Sequence, residues 1–294
     1  MVRVGDFITL KGEYNGETFG TDICKVLDII DQGSVMKVTL HDCFGTINFV
    51  EKYPGLNTIP AGSTVRRAML TSAYGVGSHA EGRATIARGE GAHSEGWRTE
   101  ATHVGSHAEG YKTLAGNEYA HAEGSDTKAL GPKSHAEGLE TTTYSSASHA
   151  EGYLTVAGSQ TADSTTAHAE GHSTQALATA AHAEGKFIVA SGVYSHAEGE
   201  STFANGYASH AEGYYTSINT NNSESKGAHA EGMGTVAHGN GQHVQGRYNV
   251  EEGTMDSGYP SFAHIQGWGS SGSRKNIHTL DKSGNAAFAG DIYV

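Results

Sequence analysis

The chain has 294 residues, 41 of them glycine, with a formal net charge of −13 and only two cysteines. An acidic chain without clustered Lys and Arg lacks the electrostatic footprint of a nucleic-acid binder, and no apolar run is long enough to insert in a membrane. Large hydrophobes are sparse while Ala, Ser, Thr, Gly and His are abundant, which excludes a wide core and suits a narrow one built from small side chains.

In chain order, residues 1–70 come first and hold most of the β-branched runs: "DFITL", "ICKVLDII", "VMKVTL" and "TINFV". Turn signals such as Asn15-Gly16 and Gly33-Ser34 separate them, so a small β-barrel or sandwich of four to six strands is predicted. Its expected role is capping or attachment. Cys24 and Cys43 lie here and read as small buried hydrophobes rather than a disulfide. The opening "MVRVGDFITLKGEYNG" lacks the charged-then-apolar pattern of a signal peptide.

Residues 71–267 are a repeat. The motif His-(Ala/Ser)-Glu-Gly places a histidine and a glutamate two residues apart in eleven copies. These are His79 and Glu81, His93 and Glu95, His107 and Glu109, His121 and Glu123, His135 and Glu137, His149 and Glu151, His168 and Glu170, His182 and Glu184, His196 and Glu198, His210 and Glu212, and His229 and Glu231. Two variant copies follow, His243 with Gln245 and His264 with Gln266. The step is 14 residues, except for two of 19 and a last one of 21. Three residues after the motif glycine stands Thr, as at Thr85, Thr113 and Thr155, and five after it usually Ala, as at Ala87, Ala115 and Ala157.

Alternation with period two is the strand signal, and glycine at this density would cost a helix ~1 kcal/mol per site. Each unit therefore holds two short strands and two corners, one coil of a parallel β-solenoid. Thirteen coils stacked at ~4.8 Å make a rod of roughly 60 Å. Alternation also assigns faces: the residue before His and the Ala after it point inward with Thr and Ala of the other strand, while His and Glu form an outward stripe. The positions after the motif glycine vary freely (Arg83, Trp97, Tyr111, Ser125, Leu139), whereas the stripe does not. A surface that repeats in every coil meets something regular, and the simplest regular partner is another copy of the chain around a symmetry axis.

The units resemble the head repeats of trimeric autotransporter adhesins (the YadA-like head), in which a Ser-Val-Ala-Ile-Gly segment is followed by Ser/Thr-x-Ala-x-Gly. The resemblance implies a left-handed parallel β-roll that trimerises along its length, with the family's Val and Ile at the trimer seam. Here His and Glu occupy those two places, so all thirteen His/Glu or His/Gln pairs become candidate seam residues. A polar seam must be satisfied. Histidine of one chain donating to glutamate of the next is the expected solution, and a His so paired is expected to titrate above its ordinary value. A weaker alternative puts a metal ion among symmetry-related histidines such as His107 and His121, since imidazole suits Zn, Ni or Fe. No cofactor is expected.

Catalysis is not expected either. His-x-Glu also opens the zinc-deaminase signature, but the Pro-Cys-x-x-Cys it needs is missing, as are His-Glu-x-x-His, Gly-x-Ser-x-Gly and a Walker loop. Trp97, Tyr111, Tyr153, Tyr214 and Tyr215 are candidate exposed aromatics for stacking on sugars. The insertions at Ser159–Thr166 and Asn219–Lys226 are predicted to bulge outward as polar loops.

Residues 268–294 close the chain with a predicted hairpin turning at Lys282 to Asn285. The segment "RKNIHTLDKSGNAAFAGDIYV" resembles one in tail-associated proteins of phages and prophages of Gram-positive bacteria, where it also follows His-Ala-Glu-Gly repeats. In such proteins the chain often continues into a self-cleaving chaperone-like domain, so a mature or trimmed form is one expectation. Together the two resemblances imply a homotrimeric tail or head fibre. It would be assembled in the bacterial cytoplasm into the virion, contact other virion proteins and present surfaces to a host glycan or protein. The rival readings are a glycan-degrading fibre enzyme using Asp163, Glu251, Glu252 or Asp256 in a groove between chains, and a metal-stiffened rod.

Overall fold

The computed structural model describes residues 71–160, 164–218, 225–250 and 262–290, together with the backbone of five strands between residues 7 and 67. The chain divides into two compact units, Met1–Thr71 and Ser72–Val294. All described regular structure is β, without a helix.

In the first unit, β1 (Phe7–Tyr14), β2 (Glu17–Gly20), β3 (Ile23–Asp31), β4 (Met36–Phe44) and β5 (Thr64–Arg67) form one antiparallel sheet. Tyr14 pairs with Glu17 and Asp31 with Met36; the predicted turn residues Asn15-Gly16 and Gly33-Ser34 lie outside the described residues. Cys24 lies on β3 and Cys43 on β4. Their side chains are outside the described residues.

The second unit is a parallel β-solenoid. Two-residue strands, from β6 (Ser72–Ala73) to β28 (Val236–Ala237), alternate along the chain with five-residue motif strands, from β7 (His79–Arg83) to β29 (His243–Arg247). Each set stacks only on itself, giving a 12-stranded sheet of short strands and a 15-stranded sheet that starts with the motif strands. The motif pairs with itself coil after coil, as in His107 with His121 and Glu137 with Glu151. Both 19-residue steps keep this register, since His149 pairs with His168 and His210 with His229. The solenoid has about 12 coils rather than 13. The thirteenth copy, His264 to Gly267, lies in β30 (Phe262–Trp268), which is parallel to β29 on one side but antiparallel to β31 (Asn276–Asp281) on the other. There the solenoid turns into an antiparallel ending, completed by β32 (Ala286–Phe288) against β31.

The interior follows the alternation. Ala108, Ala115, Ser106 and Thr113 are fully covered, and so are their equivalents from Thr85 to Asn249. An alanine buries little apolar area, about one methyl at ~0.8 kcal/mol. The coils are instead tied by backbone bonds, such as His107 N–H to Ala120 O at 2.9 Å and Lys112 N–H to Trp97 O at 2.9 Å. The motif glycine is what lets them approach. Its φ is 102–119° from Gly82 to Gly232, and a Cβ there would lie 2.1–2.2 Å from the carbonyl oxygen of the next motif glycine. Only glycine allows both that backbone and that approach.

Toward its C-terminal end the core changes character. Val244 and Ile265 replace alanine and are fully buried. Gln242 replaces the small residue before His and accepts from His238 N–H at 2.8 Å, while its amide donates to Phe262 O at 3.1 Å. Asn249 stands where the next short strand would begin. Its side chain accepts from Val236 N–H at 2.8 Å and donates to Val236 O at 3.0 Å. One amide thus closes a ladder that another backbone would otherwise continue, the usual requirement at a solenoid end.

Candidate functional site

The stripe is a property of the motif strand. Inside and outside alternate along it, so His and Glu share the outer face of the 15-stranded sheet, and the parallel in-register pairing stacks like on like. From His79 to Gln266 all thirteen predicted pairs fall on these paired strands. The side chains are neither core nor free surface. His107 and Glu109 are each 35% exposed, and most other layers are similar.

Stacking brings the rings face to face. Between His93 and His149 successive imidazole centroids are 4.6–5.0 Å apart and within 2–7° of parallel. The stack is interrupted between His149 and His168, where the rings meet edge-on at 82°, and resumes between His196 and His243. In each layer from His93 to His210 the ring Nε2 lies 3.5–3.8 Å from Oε2 of the glutamate two residues on, in the same chain. That is beyond hydrogen-bonding distance. Only His79 makes the bond, at 3.3 Å. From His93 to His243 the Nε2 atoms are shielded from solvent and have no hydrogen-bond partner. Where glutamate gives way to Gln245, His243 turns to the preceding layer instead, 3.5 Å from Glu231 Oε1.

Within one chain the shift runs downward. Burial lowers His121 from its ordinary value of 6.5, and the neighbouring His135 and His107 lower it further, against weaker opposition from Glu109 and Glu137. The same causes lower His149, His182 and His229. His264 is lowered as well. A ring stacked between two other rings resists taking a charge that its neighbours also resist, and a carboxylate lacking a direct hydrogen bond does not outweigh this. Within the chain, then, these histidines favour the neutral form.

Beside the rings, the carboxylates of Glu198, Glu212 and Glu231 with Gln245 and Gln266 line an open groove of about 530 Å³ together with Gly199, Gly213, Gly232 and Gly246. His–Glu–His groups with ligand atoms within 4.8 Å of one another occur at His107/Glu109/His121, His121/Glu123/His135, His135/Glu137/His149 and His229/Glu231/His243, and Glu198/His210/Glu212 forms a similar set. The histidines singled out for a metal, His107 and His121, thus share a group within one chain.

The aromatic candidates do not form one platform. Trp97 and Tyr111 pack on each other at 4.9 Å, with the Arg83 and Arg98 guanidinium groups 5.3 and 5.6 Å from the Trp97 ring. Tyr153 packs against His172 at 5.0 Å. Tyr214 and Tyr215 meet edge-on at 4.4 Å. Tyr215 also lines a groove with Phe203, Tyr248 and Arg274, three residues that the repeat pattern did not single out. Phe203, Tyr215 and Tyr248 follow the motif in their coils, whereas Arg274 comes from the ending of the rod. Asp163, Glu251, Glu252 and Asp256, the carboxylates of the enzyme reading, lie outside the described residues. So do the middles of the two insertions. The flanks of the first stay within the coil stack, where Ser164 is buried and hydrogen-bonded to Ser145 and Ser146 pairs with Thr165.

The chain matches no family model and no curated protein.

Proposed function

We propose that the chain is the subunit of a homotrimeric phage or prophage fibre, a stiff rod whose His/Glu stripes meet along the trimer axis and whose outer faces serve host attachment. One observation carries the reading: a single face of the solenoid repeats His with Glu, or with Gln in its last copies, half-covered and floored by glycine, while the residues that follow the motif vary. Drift is tolerated where a surface meets solvent, and constancy along a whole rod suits a partner with the same repeat. The resemblance to adhesin head repeats, whose corresponding positions form the seam, supports the same arrangement. So does the likeness of the last residues to phage tail proteins.

In this reading the shielded Nε2 edge belongs to the chain's own glutamate, so contact across the axis runs through the remaining ring edge and the second carboxylate oxygen. The outer aromatics, including the groove of Phe203, Tyr215, Tyr248 and Arg274, are candidate host-facing surfaces for a glycan or protein. The experiment is binding of labelled protein to intact Gram-positive cells and to their isolated wall glycans, with release of reducing ends followed in the same samples. Binding without release is expected. Catalytic release would replace this reading with the glycan-degrading one, and failure to bind any wall preparation would remove host attachment from it.

A further inference from the structure

We propose that the His/Glu stripe binds divalent transition-metal ions, each held within one chain between two neighbouring coils. Three observations lead there. The first is geometric. In His107/Glu109/His121, His135/Glu137/His149 and His229/Glu231/His243, two imidazole nitrogens and a carboxylate oxygen lie within 4.8 Å of one another. An ion bonded at ~2.0–2.2 Å to each would draw them to roughly 3.3–4 Å apart. Rotation of half-exposed His and Glu side chains supplies that closure without moving the backbone. The second is an unmet need. Nε2 of each of these histidines is shielded from water, points toward the glutamate and lacks a hydrogen-bond partner. A buried polar atom left unsatisfied is costly, and a metal ion meets the need of a neutral imidazole directly.

The third is charge. Eleven stripe glutamates repeat once per coil, one negative charge every ~4.8 Å of rod. The ion pairs Arg88–Glu100, Lys112–Asp126 and Lys186–Glu200 use carboxylates other than the stripe glutamates. Three stripes around one axis would carry a charge every ~1.6 Å, close to the ~1.7 Å of double-stranded DNA, whose counterions condense on it. Cations are therefore drawn to the stripe, and the imidazoles select among them. Mixed nitrogen and oxygen donors favour Zn²⁺, Co²⁺, Ni²⁺ or Cu²⁺ over the oxygen-seeking Mg²⁺ and Ca²⁺.

The groups overlap, which limits occupancy. His121 and His135 each belong to two groups, so the sets that can fill together are His107/Glu109/His121, His135/Glu137/His149, Glu198/His210/Glu212 and His229/Glu231/His243. Each supplies three ligands and leaves a fourth position to water or to a partner chain. The sites are complete within one chain, so the proposal does not depend on the trimer, although a trimer would strengthen the attraction.

The test uses the full, tag-free chain, stripped with a chelator, equilibrated with Zn²⁺ in excess Mg²⁺ and passed through gel filtration before elemental analysis. About four zinc ions per chain are expected, one for each of the four groups that can fill together. The double variant Glu109→Gln, Glu137→Gln should lose about one, because His121/Glu123/His135 is then free to fill, while keeping its fold by circular dichroism. Co²⁺ should give the intense visible bands of a tetrahedral nitrogen–oxygen site. Retention of one ion or fewer overturns the proposal, as does an unchanged stoichiometry in the double variant, which would place the ions on scattered surface histidines. Native mass measured on the same samples separates the two readings. A metal-free trimer would sink this inference alone, and a metal-loaded monomer would sink the trimer alone.

Discussion

Replacing Gly138 with alanine should break the rod locally, whereas the same change at Gly91 should be mild. Both glycines have positive φ, +106° and +62°. At Gly91 a Cβ meets nothing within 4 Å, so the cost is that of a left-handed alanine, about 1 kcal/mol. At Gly138 the Cβ would lie 2.2 Å from the carbonyl oxygen of Gly152, and ordinary contact begins near 3.4 Å. The two coils must therefore part by about 1.2 Å there, on a ladder spaced at ~4.8 Å. The bonds that join these two coils beside it, His135 N–H to Ser148 O at 2.9 Å and Leu154 N–H to Leu139 O at 3.0 Å, cannot both survive that opening. Two or three backbone bonds at ~1 kcal/mol each, added to backbone strain of ~1–3 kcal/mol, give a loss of about 3–6 kcal/mol. Urea unfolding of the two variants side by side checks this, with hydrogen exchange locating the damage between Gly124 and Gly152. Equal destabilisation of the two would refute the reasoning, because it would mean that conformation alone, and not the approach of coils, requires the motif glycine.

The buried threonines give a second prediction. Thr113 Oγ1 is covered and unpartnered, whereas Thr99 Oγ1 lies 2.7 Å from Ser94 Oγ in the one copy that has serine for alanine. Thr113→Val should therefore be neutral or stabilising by up to about 1 kcal/mol, while Thr99→Val should cost ~1–2 kcal/mol by orphaning Ser94. Thermal unfolding reads both, and the same sign for the two would contradict the assignment. Removing the amide at the end of the rod, Asn249→Ala, should free both polar backbone groups of Val236 and cost ~2–4 kcal/mol, visible as faster hydrogen exchange confined to the last coils. For pH, the lowered histidines bind protons more readily unfolded than folded. Their contribution is complete above the ordinary value of 6.5 and is lost as pH falls through the folded values, so metal-free protein should weaken from pH 7 toward 5. His121, between His107 and His135 and facing Glu109 and Glu137, is a main contributor, and His121→Gln should flatten the profile.

The register of the rod was legible because a 14-residue period and a two-residue alternation are properties of sequence. They placed Ala108, Thr113 and Ala115 inside, and His107 and Glu109 together outside. The sign of the histidine shift was not legible. It depends on rings stacked 4.6 Å apart, which only the folded ladder creates, and on a glutamate that ends near its histidine but beyond bonding distance. Within one chain the glutamate lies beside Nε2 but beyond bonding distance, a placement set by the strand backbone rather than by the letters of the motif. The groove at Phe203, Tyr215, Tyr248 and Arg274 was not legible because Arg274, from the ending beyond the repeats, completes it. The thirteenth motif copy misled the coil count for the same reason: its letters match, but its strand already pairs antiparallel with β31.

The central claim is that the stripe closes against copies of itself, and the native mass of the full chain in solution tests it most directly. The account predicts three chains, held together at pH 7 and loosened by a charge-reversing change at mid-stripe such as Glu151→Lys. A monomer at micromolar concentration, with the stripe histidines open to chemical modification, would contradict it.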